Sequence, residues 1–197
     1  MRLRHKSIQS GSPIAFRRNG NGTDVAAIRC TAYKSFLMNS ISVRHISDTD
    51  KTWINRILTD RWGSPTIVTC GVLHTANELS GFIATDRNVP VGLLTYRFEA
   101  GACEVVSLDS LAEGRGIGSA LLKSVEEIAR EKKSNRIWLI TTNDNLHALR
   151  FYQRRGYVLV AVHRNAIERS RQFKPQIPII GKDGIPLRDE IELEKKL

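Results

Sequence analysis

The chain has 197 residues, of which 41% are hydrophobic, 7% aromatic and 25% charged, the composition of one globular domain with a short appendage. Its three cysteines, Cys30, Cys70 and Cys103, are odd in number and widely spaced, which excludes a disulfide framework or a CxxC site and points to a reducing, cytoplasmic setting. No stretch approaches the roughly 18 consecutive apolar residues of a membrane helix, so no membrane partner is expected.

The net charge of +10 is unevenly spread. Arg2, Arg4, Lys6, Arg17, Arg18, Arg29 and Lys34 stand against Asp24 alone, so six of the ten charges fall in the first 37 residues. The remainder is too mildly basic for a dedicated nucleic-acid surface. Residues 1–37 are also rich in Ser, Gly and Asn without a helical or strand period, and read as a disordered basic extension before a domain over 38–197. Three origins fit: an organelle transit peptide, a start site misplaced ahead of Met38, or a flexible tail.

From residue 41 to 46 the alternation Ile-Ser-Val-Arg-His-Ile predicts a strand. Asp48 or Asp50 then caps a helix carrying Trp53, Ile54, Ile57 and Leu58, which stops at Gly63-Ser64-Pro65. Strands are expected over 67–73, 81–85 and 89–98, and a fourth over 104–108 leads to the glycines. Ile117, Leu121, Leu122, Val125, Ile128 and Ala129 trace one face of the next helix. A continuously buried strand over 136–141, a helix over 146–154 ended by Gly156, and a strand over 157–162 follow. Residues 175–186 form a proline-bearing loop, and 191–193 a last strand. The pattern predicts an α/β (α+β) layer around a mixed sheet.

Glu113-Gly114-Arg115-Gly116-Ile117-Gly118-Ser119 joins the fourth strand to its helix. Backbone N–H groups at a helix start favour an anion, and glycine lets a phosphate approach closely; the same glycines also suit a tight turn and close packing. No Gly-Lys-Ser/Thr follows, which excludes a Walker loop, and the third Gly comes one residue too early for a dinucleotide fingerprint. After the next strand, Asn145, Ala148 and Tyr152 share a helical face ahead of Gly156-Tyr157. His45, His74, His147 and His163 have no metal-ligand spacing, and no metal is assigned.

This pairing, a glycine loop after one strand and Asn-x-x-Ala-x-x-Phe-Tyr-x-x-x-Gly-Tyr after the next, resembles the GNAT superfamily of acyl-CoA-dependent N-acetyltransferases over about residues 41–197, most strongly over 104–157. The resemblance implies a mostly antiparallel mixed sheet, splayed at a cofactor cleft, with helices on both faces. It implies that Gly116 and Gly118 match the two small positions of the diphosphate loop, with Glu113, Gly114, Arg115, Ile117 and Ser119 around them. Glu113 departs from the usual Gln or Arg, which leaves the backbone mechanism intact. Leu108, Asp109 and Ser110 would flank the pantetheine arm of acetyl-CoA with main-chain groups, Asn145 would hydrogen-bond the cofactor, and Tyr152 would face its sulfur.

By the same resemblance, acetyl would pass from acetyl-CoA to a primary amine by direct attack in a ternary complex. A protonated Tyr152 suits the general acid for the departing thiolate, and Glu104 is the candidate general base, directly or through water. Asp189, Glu190 and Glu192 are expected on an edge strand, where they attract a cationic amine or form a solvated face. The expected partner is an amine-bearing small molecule; nucleic acid is not expected, and a homodimer stays open. The main rival is a non-catalytic CoA-binding or sensory domain on the same fold.

Overall fold

The computed structural model describes residues 41–197, so the expected extension over 1–37 lies outside the described residues. Seven strands form one sheet in the order β1-β4-β5-β6-β7-β9-β8. They are β1 (Ile41–His45), β4 (Ser80–Asp86), β5 (Val89–Glu99), β6 (Ala102–Ser110), β7 (Arg136–Thr142), β8 (Val158–His163) and β9 (Glu190–Lys196). Neighbours are antiparallel except β6 and β7, which run parallel. The strands β2 (Thr66–Thr69) and β3 (Val72–Thr75) form a separate hairpin. The helices are α1 (Lys51–Trp62), α2 (Ile117–Glu131), α3 (Leu146–Gln153) and α4 (Ala166–Phe173).

Alternation along the strands divides the interior into two layers. On one face Val105, Ile137, Leu139 and Leu193 meet the apolar stripe Ile117, Leu121, Leu122, Val125 and Ala129 of α2, together with Tyr152 of α3. On the other, Ile83, Leu93 and Val106 meet Ile54, Ile57 and Leu58 of α1 and Ile67 of β2. Helices thus cover both faces. Asp50 fixes the entry to α1: it accepts both guanidinium nitrogens of Arg44 at 2.7 and 2.8 Å and the backbone N–H of Ser47 at 2.8 Å. Arg44 holds this carboxyl well below the usual carboxylate range.

The sheet opens where a bulge bends it. Thr95 pairs with Ser107 and Tyr96 with Val105, so Val106 is an extra residue in β6. Such a residue kinks and twists its strand. β6 pairs with β7 only from Ala102↔Arg136 to Val105↔Leu139, and beyond Val105 the two strands part. The carboxyl ends of two parallel strands thereby frame a cleft, the place where open α/β sheets take ligands.

Three sequence expectations are corrected, and α4 is an element that the sequence pattern did not predict. Residues 67–73 are a hairpin rather than one strand, because Cys70 and Gly71 both have positive φ (48° and 78°) and turn the chain. β7 buries only alternate residues, since Ile137, Leu139 and Thr141 point to α2 while Arg136, Trp138, Ile140 and Thr142 stay half-buried on the opposite face. The last strand runs from Glu190 to Lys196 and lies inside the sheet between β7 and β8, so Glu190 and Glu192 are not on an edge. The polar stretch that forms α4 carries no long apolar stripe and gave no helix signal; its buried face is only Ala166, Ile167 and Ser170.

Candidate active site

The glycine loop sits at the open end of β6. Gly114 and Gly116 have φ of 74° and 77°, and a Cβ at either would project into open space. Gly116 is the residue before the first turn of α2, so the N–H groups of that turn have no partner within the helix. Gly118 has a different role: a Cβ there would lie 3.2 Å from Phe151 and 3.3 Å from Leu108, so its smallness lets α2 approach α3 and β6. The Arg115 guanidinium pairs with Asp86 at 2.6 Å, which draws it toward the β4–β5 turn rather than leaving it to an anion.

A second cation, unnoticed in the sequence, reaches the loop. Arg155 donates to the Ser119 hydroxyl in the first turn of α2 and to the Phe151 carbonyl at 2.7 Å, with its guanidinium 3.6 Å from the centre of the Phe151 ring. The only sequence signal was an Arg-Arg pair before Gly156. Asn145 caps α3, its Oδ1 accepting the Ala148 N–H at 3.2 Å, so this oxygen is committed to the helix start.

Tyr152 is buried, packed edge-on against Phe151 and Tyr157. Among the described residues no group hydrogen-bonds its hydroxyl. Burial, helped by the charge of Asp109, pushes its phenol up from the ordinary tyrosine range, with Arg155 opposing. The phenol therefore stays protonated across the physiological range.

Glu104 is 1% exposed and hydrogen-bonded on both oxygens. Arg97 Nε donates to one carboxylate oxygen at 2.6 Å, and the Thr69 hydroxyl donates to the other at 3.0 Å. Because that hydroxyl has one proton, His74 Nε2, 2.8 Å from the same oxygen, must be the protonated ring nitrogen. Glu104 also lies one residue before the last β6–β7 pair, below the point where the strands part.

Asp109 lies in the parted segment, on the α1 face opposite Leu93. It is 91% buried, and both carboxylate oxygens accept the Trp62 indole N–H, at 3.1 and 3.3 Å. Arg61 beside it donates to the Ser110 carbonyl at 3.3 Å. Sequence reasoning placed Asp109 here only for its main chain and left Trp62 without a role. The side-chain pair became visible only when the end of α1 met the end of β6.

Elsewhere in the fold, residues far apart in sequence are tied together. Glu190 accepts the Cys70 N–H at 2.8 Å and the Ser170 hydroxyl at 3.1 Å, joining the β2–β3 turn to α4. The buried Lys174 ammonium donates to the Thr66 carbonyl at 2.9 Å. Asp144 accepts the Lys182 N–H at 2.8 Å, and a Cβ at Gly181 would collide with its carboxylate. Glu192 is engaged by Arg136 at 2.9 Å and by His163 at 3.1 Å. Among the described residues no group of three or more His, Cys, Asp or Glu could hold a metal ion, and no helix is long and apolar enough to cross a membrane.

The family model described as "Acetyltransferase (GNAT) family" matches residues 43–157, a span that contains the bulge, the glycine loop and Tyr152. The uncharacterized protein YxbD of Bacillus subtilis (strain 168) is 47% identical over 148 residues, covering 75% of this chain and 93% of its own. Among solved structures, the IAA acetyltransferase from Bacillus cereus ATCC 14579 aligns with a TM-score of 0.62 at 18% identity, over 80% of this chain and 99% of its own. A GNAT family acetyltransferase from Elizabethkingia anophelis, with acetyl-CoA bound, aligns with a TM-score of 0.57 at 20% identity, over 81% of this chain and 99% of its own. With the matched segment spanning more than half of its length, this chain belongs to the GNAT acetyltransferase family.

Proposed function

We propose that the protein transfers an acetyl group from acetyl-CoA to a primary amine of a small-molecule acceptor, by direct attack in a ternary complex. The observation that carries this reading is the parting of β6 and β7, with a glycine-opened helix start at the open end of β6 and a buried Tyr152, close enough to Asp109 to feel its charge, whose hydroxyl no group among the described residues hydrogen-bonds. The bound acetyl-CoA of the Elizabethkingia anophelis relative supports the cofactor.

In this reading the diphosphate rests on the N–H groups that follow Gly114 and Gly116, with Arg155 as the nearby cation. The pantetheine arm runs beside Leu108, Asp109 and Ser110, whose main chain β7 no longer pairs. Asn145 orients the arm from the start of α3. Tyr152, held neutral by burial, donates its hydroxyl to the sulfur as the C–S bond breaks. The hairpin and α4 close the opposite side, where the amine enters.

The test is a panel of primary amines, comprising diamines, arylethylamines, amino sugars and amino acids, offered with acetyl-CoA to the full chain. Thiol release and the acetylated amine are both measured. Amine-dependent release with a matching acetamide supports the proposal; tight CoA binding with no acetamide from any amine supports a sensory domain instead.

A further inference from the structure

Two carboxylates lie near the cleft, and their surroundings differ. Glu104 is ion-paired with Arg97 and set below the parting of the strands. Asp109 lies within the parting, and among the described residues no cation comes within ion-pair distance of it. Its one side-chain donor is the neutral Trp62 indole.

We propose that Asp109, not Glu104, is the base that takes the proton from the incoming ammonium group. This rests on the transferase reading above and adds a catalytic residue to it. The groups facing Asp109 are Trp62 and Arg61 from α1, Lys182 from the loop after α4, and Tyr152 from α3. Burial raises the Asp109 carboxyl from the ordinary aspartate range, while Trp62, Arg61 and Lys182 pull it back. A carboxylate raised in this way accepts a proton more readily than an ordinary aspartate.

The placement also couples the two proton transfers. The Asp109 carboxylate takes one proton from R–NH3+, and the freed nitrogen lone pair attacks the thioester carbonyl carbon. The tetrahedral adduct collapses, the C–S bond breaks, and the sulfur receives the Tyr152 proton. The second proton lost by nitrogen restores the tyrosine, while the first leaves Asp109 for solvent. Balanced, R–NH3+ and the thioester give an amide, a thiol and one proton. Because the negative charge of Asp109 helps to hold the Tyr152 proton, protonating Asp109 makes Tyr152 a stronger acid as the thiolate forms.

The experiment compares wild type, Asp109→Asn, Glu104→Gln and Trp62→Phe, using acetyl-CoA and the amine of the panel with the highest wild-type kcat/KM, across pH 5 to about 10. Thermal midpoints and CoA affinities are measured alongside. Asp109→Asn should lower kcat/KM by about 10² to 10⁴-fold, leave CoA affinity within about threefold, and make the remaining rate follow the free-amine fraction as pH rises. Trp62→Phe removes a hydrogen bond to the ionised form, so the acid limb of the profile should move to higher pH. An Asp109→Asn rate within threefold of wild type overturns the assignment, as does an acid limb that survives in Asp109→Asn and vanishes in Glu104→Gln. A wild type that binds acetyl-CoA yet acetylates no amine overturns the transferase reading itself, so the two failures are distinct.

Discussion

Replacing Gly116 with Asp separates backbone strain from ligand repulsion. Gly116 has a φ of 77° and nothing near its would-be Cβ, so the substitution fits sterically and costs the left-handed conformation, about 1 to 2 kcal/mol. For a domain of this size that is a fall in Tm of roughly 2 to 8 °C. The new carboxylate also faces the place proposed for the diphosphate. Two unit charges about 5 Å apart repel by about 1 kcal/mol in water and about 3 kcal/mol at an effective dielectric of 20. CoA affinity should therefore fall by about fivefold to more than a hundredfold.

The matched control is Gly101→Asp in the β5–β6 turn, where φ is 75° and the Cβ space is equally open. It should lower Tm by a similar amount and leave CoA affinity unchanged. Calorimetric titration with CoA and thermal melts of both variants decide the matter. Equal CoA affinity in wild type and Gly116→Asp, or an equal loss in both variants, refutes the placement of the diphosphate.

Tyr152→Phe keeps the ring that packs against Tyr157 and removes the proton donor, so kcat for the best amine should drop by about 10² to 10⁴-fold with CoA affinity nearly intact. Gly181→Ala forces a methyl into the Asp144 carboxylate and should destabilise by about 1 to 3 kcal/mol in urea denaturation, an effect reduced when Asp144→Ala is combined with it. The Asp50 carboxyl is depressed in the folded state by Arg44, so its contribution to stability is present above the unfolded aspartate pKa of about 4 and is lost as pH falls through the folded value. Between pH 6 and about 3 the Tm of wild type should therefore fall more steeply than that of Asp50→Asn.

The elements of the family core were legible because each carries its own local signal. The α2 stripe from Ile117 to Ala129 repeats at helical spacing, the glycines mark the loop, and Gly156 with Tyr157 ends α3. The bulge at Val106 was not legible, since an extra residue in a strand looks like any other apolar residue until its partners Thr95 and Tyr96 are known. The place of β9 was equally hidden. Its Glu-rich alternation suggests an exposed edge, yet Arg136, His163, Ser170 and the Cys70 N–H come from four other segments to engage its carboxylates. The proposed site follows the same division: the helical face of Tyr152 and the glycine loop could be read from spacing, and their proposed roles from the resemblance, whereas the Trp62–Asp109 pair and the Arg97–Glu104 ion pair depend on contacts across the fold.

A crystal structure of the full chain with acetyl-CoA would locate the cofactor outright. The diphosphate is expected on the backbone N–H groups after Gly114 and Gly116, the pantetheine arm between the parted ends of β6 and β7, and the thioester sulfur within hydrogen-bond reach of the Tyr152 hydroxyl, with Asp109 open to the acceptor side. Acetyl-CoA bound outside that cleft, or seated in it with its sulfur turned away from Tyr152, would contradict this placement.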